Sequence, residues 1–244
     1  MIVLKNVTKS FHAVFAPVLN AINLSLHDGE FCIVIGANGS GKSTLLKIIG
    51  NEYLPDAGTV EVQGKVAQVV QDVNLGAVPK MTLLENMALS HLKKPRLAFY
   101  SRYKTEISDK IKTLGIGLET YIDKPLQFLS GGQRQAIATL MAITSGCNVL
   151  LLDEHTSALD PKMQALLMEY TAAHIVERGL TTVMITHKME DAIRYGDRLI
   201  MLHQGKIVLD ISGGDKKALK AANLLALFHQ YQDQMLLFGD RDDG

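Results

Sequence analysis

The sequence predicts an α/β fold organised around a phosphate-binding loop, and three stretches carry that expectation. Phe31–Ile35 is an apolar run, Gly36–Ser43 reads Gly-Ala-Asn-Gly-Ser-Gly-Lys-Ser, and Thr44–Ile49 has helical apolar spacing. Strand, glycine loop and helix in that order is the setting such a loop requires. Val149–Leu152 is a second apolar strand, ending in the paired acids Asp153 and Glu154. Thr182–Thr186 is a third, ending at His187. In open α/β sheets, ligands sit outside the carboxyl ends of the strands, where these polar residues fall. With 244 residues, 47% of them hydrophobic, the chain can bury one large α/β domain, or a domain plus a lobe.

The glycine loop has a direct chemical reading. Its three glycines let successive N–H groups converge on a di- or triphosphate, and a helix starting near Lys42 adds its positive dipole end. Gly36, Asn38, Gly39, Ser40 and Gly41 form the cradle, and Lys42 reaches the outer phosphates. Ser43 supplies a hydroxyl to Mg²⁺, and Thr44 a hydrogen bond to phosphate.

Ahead of the loop, Ile2–Val7 and Leu19–Leu26 alternate as half-buried strands, predicting an antiparallel flap. Phe11 and Phe15 lie between them; an aromatic there either stacks on a purine or packs internally, and spacing alone favours packing. After the first helix, Thr59–Val62 and Lys65–Val70 read as a hairpin around Gln63-Gly64. Gln71 then stands at a strand end, where an amide can coordinate Mg²⁺ or accept from its water, although any strand-end glutamine looks the same.

Two helices are predicted over Leu83–Leu92 and Thr105–Leu114, joined by a basic connection, Lys93–Lys104, that suits anionic lipid head groups or an acidic partner loop but reads more simply as a solvated link. Ser130 followed by Gln133 is a capping box, with Ile137, Leu140, Met141 and Thr144 continuing at helical spacing. With Gly131 and Gly132 behind the cap, this helix start is open enough to hold a second phosphate. Asp153 suits a Mg²⁺ held through water, and Glu154 suits polarisation of an attacking water. Ser157–Pro161 turns into a helix over Lys162–Glu177, Leu199–His203 and Lys206–Ile211 form a last hairpin, and Leu219–Phe238 is an amphipathic tail.

Taken in order, Gly36–Ser43, Gln71, Leu129–Gln133, Leu152-Asp153-Glu154, Ser157–Asp160 and His187 make the chain resemble an ATP-binding cassette (ABC) ATPase. The Leu-Ser-Gly-Gly-Gln pentapeptide is the specific signal, since other nucleotide hydrolases share only the phosphate loop. The resemblance implies a P-loop NTPase fold: a RecA-like core, an antiparallel β flap and an inserted α-helical subdomain near residues 76–145, all in one nucleotide-binding domain over 1–244. It further implies a homodimer clasping two ATP molecules head to tail. Each phosphate loop is then completed by Ser130, Gly131, Gly132 and Gln133 of the other copy, and Asp160 counts among the nucleotide-binding residues. Carried over position by position, Ser43, Gln71 and Asp153 serve Mg²⁺, Glu154 is the general base, His187 meets the γ-phosphate, and Gln71 joins these two in the catalytic group. Phe11 matches the aromatic that stacks on adenine.

Two departures stand out. His155 replaces the usual proline after the paired acids, which frees φ and adds a donor, so a looser following loop is expected. The segment Gly58–Gln71 is also shorter than usual. Within the family, the Asp153-Glu154-His155-Thr156 run and the segment Arg194–Met201 make the chain similar to ATPases of bacterial uptake systems for tryptophan, tyrosine or related small solutes. That implies transmembrane permease subunits and a solute-binding protein as partners, and a cytoplasmic place at the inner face of the cell membrane. A soluble assembly ATPase, of the kind used in iron–sulfur cluster biogenesis, is the alternative.

Bulk composition narrows the partners. Net charge is zero, so there is no whole-chain electrostatic case for nucleic acid. Neither a signal-peptide pattern nor an apolar run of about 18 residues occurs, so membrane contact is expected only through a partner. Cys32 and Cys147 lie beside apolar runs outside any Cys-x-x-Cys pair and read as buried reduced thiols.

Overall fold

The computed structural model describes residues 1–11, 16–70, 76–91 and 100–238. Its strands are β1 (Ile2–Lys9), β2 (Leu19–Leu26), β3 (Phe31–Ile35), β4 (Ala57–Val62), β5 (Val66–Val69), β6 (Val149–Asp153), β7 (Thr181–Ile185), β8 (Arg198–His203) and β9 (Lys206–Ser212). Its α-helices are α1 (Lys42–Ile49), α2 (Leu83–His91), α3 (Lys104–Lys112), α4 (Gly131–Thr144), α5 (Pro161–Arg178), α6 (Met189–Arg194), α7 (Gly213–Ala218) and α8 (Ala221–Phe238). Two compact units result, Met1–Gln63 with Val183–Gly244, and Gly64–Thr182.

In the first unit β1 is the middle strand of an antiparallel sheet ordered β2-β1-β4. Ile2 and Leu4 face the core, and the next core residue is Val7, three positions on. The register against β2 shifts between Leu4 and Val7, where Asn6 has φ 50°, so a bulge resets which side chains point inward. β3 is buried along its whole length and pairs in parallel with β8 from Cys32↔Arg198 to Ile35↔Met201. Two covered faces explain why Phe-Cys-Ile-Val-Ile is a continuous apolar run. β8 returns antiparallel as β9 across Gln204 (φ 46°) and Gly205 (φ 72°), two left-handed residues in succession, as a type I′ turn demands.

The expected hairpin of residues 59–62 with 65–70 does not form. β4 pairs antiparallel with β1, from Ile2↔Val62 to Thr8↔Ala57, while β5 pairs in parallel with β6, from Val66↔Val149 to Val69↔Leu152. The chain breaks at Gly64 (φ 94°), and Asn148 anchors the second strand by accepting the Lys65 N–H on its Oδ1 at 3.0 Å. Apolar alternation marks both segments as strands and is silent about their partners.

In the second unit the helices enclose their own core: Leu83 and Met87 from α2, Ile107 and Ile111 from α3, and Ile137 and Leu140 from α4 all belong to one buried cluster. α2 starts on a capping box formed by Thr82 and Glu85. The Thr82 hydroxyl accepts the Glu85 N–H at 3.2 Å, and a Glu85 carboxylate oxygen accepts the Thr82 N–H at 2.7 Å. Cys32 and Cys147 are buried free thiols, as expected. Among the described residues no helix is long and apolar enough to cross a membrane.

Candidate active site

In the first unit the phosphate loop runs from the end of β3 to the start of α1. Gly36 has φ 152°, Gly39 78° and Gly41 103°, backbone that L side chains rarely adopt. At Gly36 space is also forbidden: a Cβ there would stand 2.3 Å from the Leu202 carbonyl oxygen. α1 has Gly41 at its N-cap with no side-chain cap hydrogen bond, so no capping side chain stands over the positive end of its dipole. The Ser40 hydroxyl oxygen is buried with no hydrogen-bond partner among the described residues, whereas Asn38 and Gly39 are exposed at the loop tip.

Lys42 is buried to 6% exposure, and its ammonium donates to the Gly36 and Ala37 carbonyls at 2.9 Å each. The charge therefore lies along the loop it is expected to serve. Ser43 is exposed and Thr44 half-buried. His187 is exposed two residues beyond β7. The Thr186 N–H just before it donates to the Val34 carbonyl at 3.3 Å, which brings His187 to the end of β3 where the loop begins. Phe11 is 49% exposed and meets the Tyr53 ring edge-to-face, centroids 5.4 Å apart.

The second unit holds the remaining candidates. The capping box at α4 forms as expected: the Ser130 hydroxyl accepts the Gln133 N–H at 3.2 Å, and the Gln133 side-chain oxygen accepts the Ser130 N–H at 2.9 Å. The two glycines behind the cap differ. A Cβ on Gly131 meets nothing within 4 Å, while one on Gly132 would lie 2.8 Å from the Ala158 carbonyl oxygen. Gly131 thus keeps the helix start open, and Gly132 lets the 157–160 turn pack against it. Asp160 is the N-cap of α5, its Oδ1 accepting the Lys162 and Met163 N–H groups at 3.1 Å each, with Pro161 behind it.

Asp153 ends β6 and is buried, and Glu154 follows half-buried with φ 49°. A left-handed glutamate is strained. Its carbonyl is tied down by the Ser157 N–H at 2.9 Å and by the Gln135 side-chain amide at 3.3 Å. Gln135 was missed in the sequence; the available signal was a polar pair one turn apart, Gln135 and Thr139, inside an apolar helix, and both are fully buried. His155 is buried to 2% exposure rather than offered to solvent, its Nε2 has no hydrogen-bond partner among the described residues, and burial lowers its pKa from 6.5 to about 4. Gln71 and Phe15 lie outside the described residues, as does most of the basic connection.

A model described as ABC transporter matches residues 19–157. The chain belongs to that family. Among curated relatives of this ABC ATPase, a tyrosine transport ATP-binding protein of Clostridioides difficile is 37% identical, over 93% of this chain and 98% of its own length. An aliphatic sulfonates import ATP-binding protein, SsuB 2, of Agrobacterium fabrum is 35% identical over 80% of this chain and 73% of its own. Among solved structures, the dimeric post-hydrolysis state of the ATP-binding cassette MJ0796 with ADP and Pi matches with a TM-score of 0.77 at 29% identity, covering 87% of this chain and 98% of that one. A second dimeric structure of MJ0796, a bacterial ABC transporter cassette, matches at 0.76 and 31% identity, with the same coverage. The P-loop NTPase fold expected from the motifs is the fold of the ABC ATPase.

Proposed function

We propose that this ABC ATPase is the energy-coupling subunit of a bacterial solute importer, working as a head-to-tail homodimer beneath a separate transmembrane permease fed by a solute-binding protein. The observation that carries the reading is that one chain presents two phosphate-ready helix starts, the uncapped α1 behind Gly36–Gly41 and the α4 start kept open by Gly131. A single triphosphate needs only the first. A second on the same chain fits a partner copy's nucleotide.

In this reading the loop amides, with Ser40 and Thr44, hold the ATP phosphates, and Lys42 moves from the Gly36 and Ala37 carbonyls to the outer phosphates. Ser43, Gln71 and Asp153 each carry an oxygen donor, the ligand type Mg²⁺ takes while keeping several of its waters, and these residues would hold it. Bound there, the ion neutralises charge on the phosphates. Glu154 takes the proton from the attacking water, and the brace on its carbonyl limits where its carboxylate can point. His187 contacts the γ-phosphate, and Ser130 and Gly131 approach it from the other copy.

The tyrosine transport relative supports uptake of an aromatic amino acid or a similar small solute, with selection left to the permease and binding protein. A cytoplasmic position at the inner face of the membrane follows from that partner. The test is co-expression with any polytopic membrane protein encoded beside this gene, affinity capture from detergent, and ATPase assay in proteoliposomes. Stable co-capture, and turnover stimulated by the loaded binding protein, are expected. Full ATPase activity with no membrane protein in the captured material would favour a soluble assembly role.

A further inference from the structure

An aromatic residue that is half exposed does not hold one orientation unless something fixes both its backbone and its ring. At Phe11 the turn that follows α1 supplies a hold on each. The Asp56 carboxylate accepts the Lys9 ammonium on one oxygen at 2.7 Å and the Ser10 N–H on the other at 2.6 Å. In return the Asp56 N–H donates to the Thr8 carbonyl at 2.8 Å, so the strand leading to Phe11 is clamped from both directions. The Lys9 hydrogen bond first, and the Ser10 N–H second, hold the Asp56 carboxyl below its usual pKa range, so the clamp stays charged at neutral pH.

The ring has two neighbours. Tyr53 meets it at an interplanar angle of 72° with centroids 5.4 Å apart, the Lys9 ammonium stands over it 5.7 Å from its centroid, and Phe11 still keeps 49% of its surface exposed. Tyr53 is itself hung from α1, its N–H donating to the Lys47 carbonyl at 3.2 Å and the Lys47 ammonium standing 5.2 Å from its ring. α1 begins at the phosphate loop and is roughly 12 Å long. One short rigid helix thus carries the phosphate cradle at its start and the Phe11 supports just past its end.

We propose that Tyr53 and Asp56 are positioning residues for the nucleotide base: Asp56 pins the approach to Phe11 and Tyr53 sets the tilt of its ring, so that a purine stacks against the exposed part of the ring. The inference rests on the reading that Phe11 stacks on the base. Its consequence is selective, because the supports act on the base and leave the phosphates alone.

Calorimetric titration with MgATP and with magnesium tripolyphosphate, which has the phosphates and no base, separates the possibilities. Tyr53→Leu is expected to weaken MgATP about five- to tenfold, the scale of one lost aromatic pair, with tripolyphosphate affinity unchanged. Asp56→Asn should do the same more weakly, and Tyr53→Phe, which keeps the ring, should bind as wild type does. Unchanged tripolyphosphate binding also reports an intact fold. Equal loss of both ligands in Tyr53→Leu overturns the proposal in favour of a structural role. Unchanged MgATP affinity in Tyr53→Leu, with Phe11→Ala weakened, overturns it while sparing the stacking reading. Unchanged affinity in Phe11→Ala removes the stacking reading and the proposal with it.

Discussion

Replacing the buried imidazole of His155 by leucine should flatten the acid side of the stability profile. The folded chain holds His155 neutral, with a pKa near 4 against 6.5 for a solvated histidine, because burial penalises the charged ring. Between those values the unfolded chain binds a proton that the folded chain refuses, so stability falls as pH drops through 6.5 and levels off only below 4. At about 1.4 kcal/mol per pH unit, the loss from this single group reaches about 2 kcal/mol at pH 5 and about 3 kcal/mol at pH 4. Above pH 7 it contributes no slope. The chain has no tryptophan, so urea unfolding is best followed by far-ultraviolet circular dichroism, without nucleotide, at pH 8, 6 and 5. Carboxylates common to both proteins cancel in the comparison. Wild type should lose about 2 kcal/mol more than His155→Leu between pH 8 and pH 5. Parallel profiles for the two would mean that the imidazole is solvated or charge-paired when folded, and the burial argument would be wrong.

Other expected outcomes test the site itself. Glu154→Gln should lower phosphate release by about 10²- to 10⁴-fold while MgATP still binds and traps a dimer visible by size exclusion; full turnover would remove Glu154 as the base. Ser130→Ala deletes the α4 cap and should cost about 1 kcal/mol in urea unfolding. Ser130→Arg should abolish MgATP-dependent dimerisation with monomer ATP binding nearly intact, and equal loss of both would leave Ser130 only a folding role. Gly36→Ala drives a methyl group into the Leu202 carbonyl and should cost about 1–3 kcal/mol along with most nucleotide affinity, measured by unfolding and calorimetry together.

Much of this protein is readable locally. The phosphate loop, the Ser130 capping box and the strand ending at Asp153 are each specified within a dozen residues, because glycine φ, cap geometry and apolar runs are near-neighbour physics. The ends of β2 and β3 fall where the pattern puts them, and α5 extends one residue beyond its expected span at each end. The short α6 and α7 escaped notice because six-residue helices offer fewer than two turns of periodicity.

The rest depends on which surfaces meet. Residues 59–62 and 66–69 both look like strands, and only competition for partners assigned one to β1 and the other to β6. Gly131 and Gly132 are identical letters, yet one faces open space and the other the Ala158 carbonyl. Asp160 reads as a site residue and is engaged as a helix cap; His155 reads as a loop substitution and is buried. Chain-local sterics determined the loop, the caps and the strands, whereas burial, strand partnership and the bracing of Phe11 and Glu154 arise from contacts between distant segments, which no stretch of sequence encodes by itself.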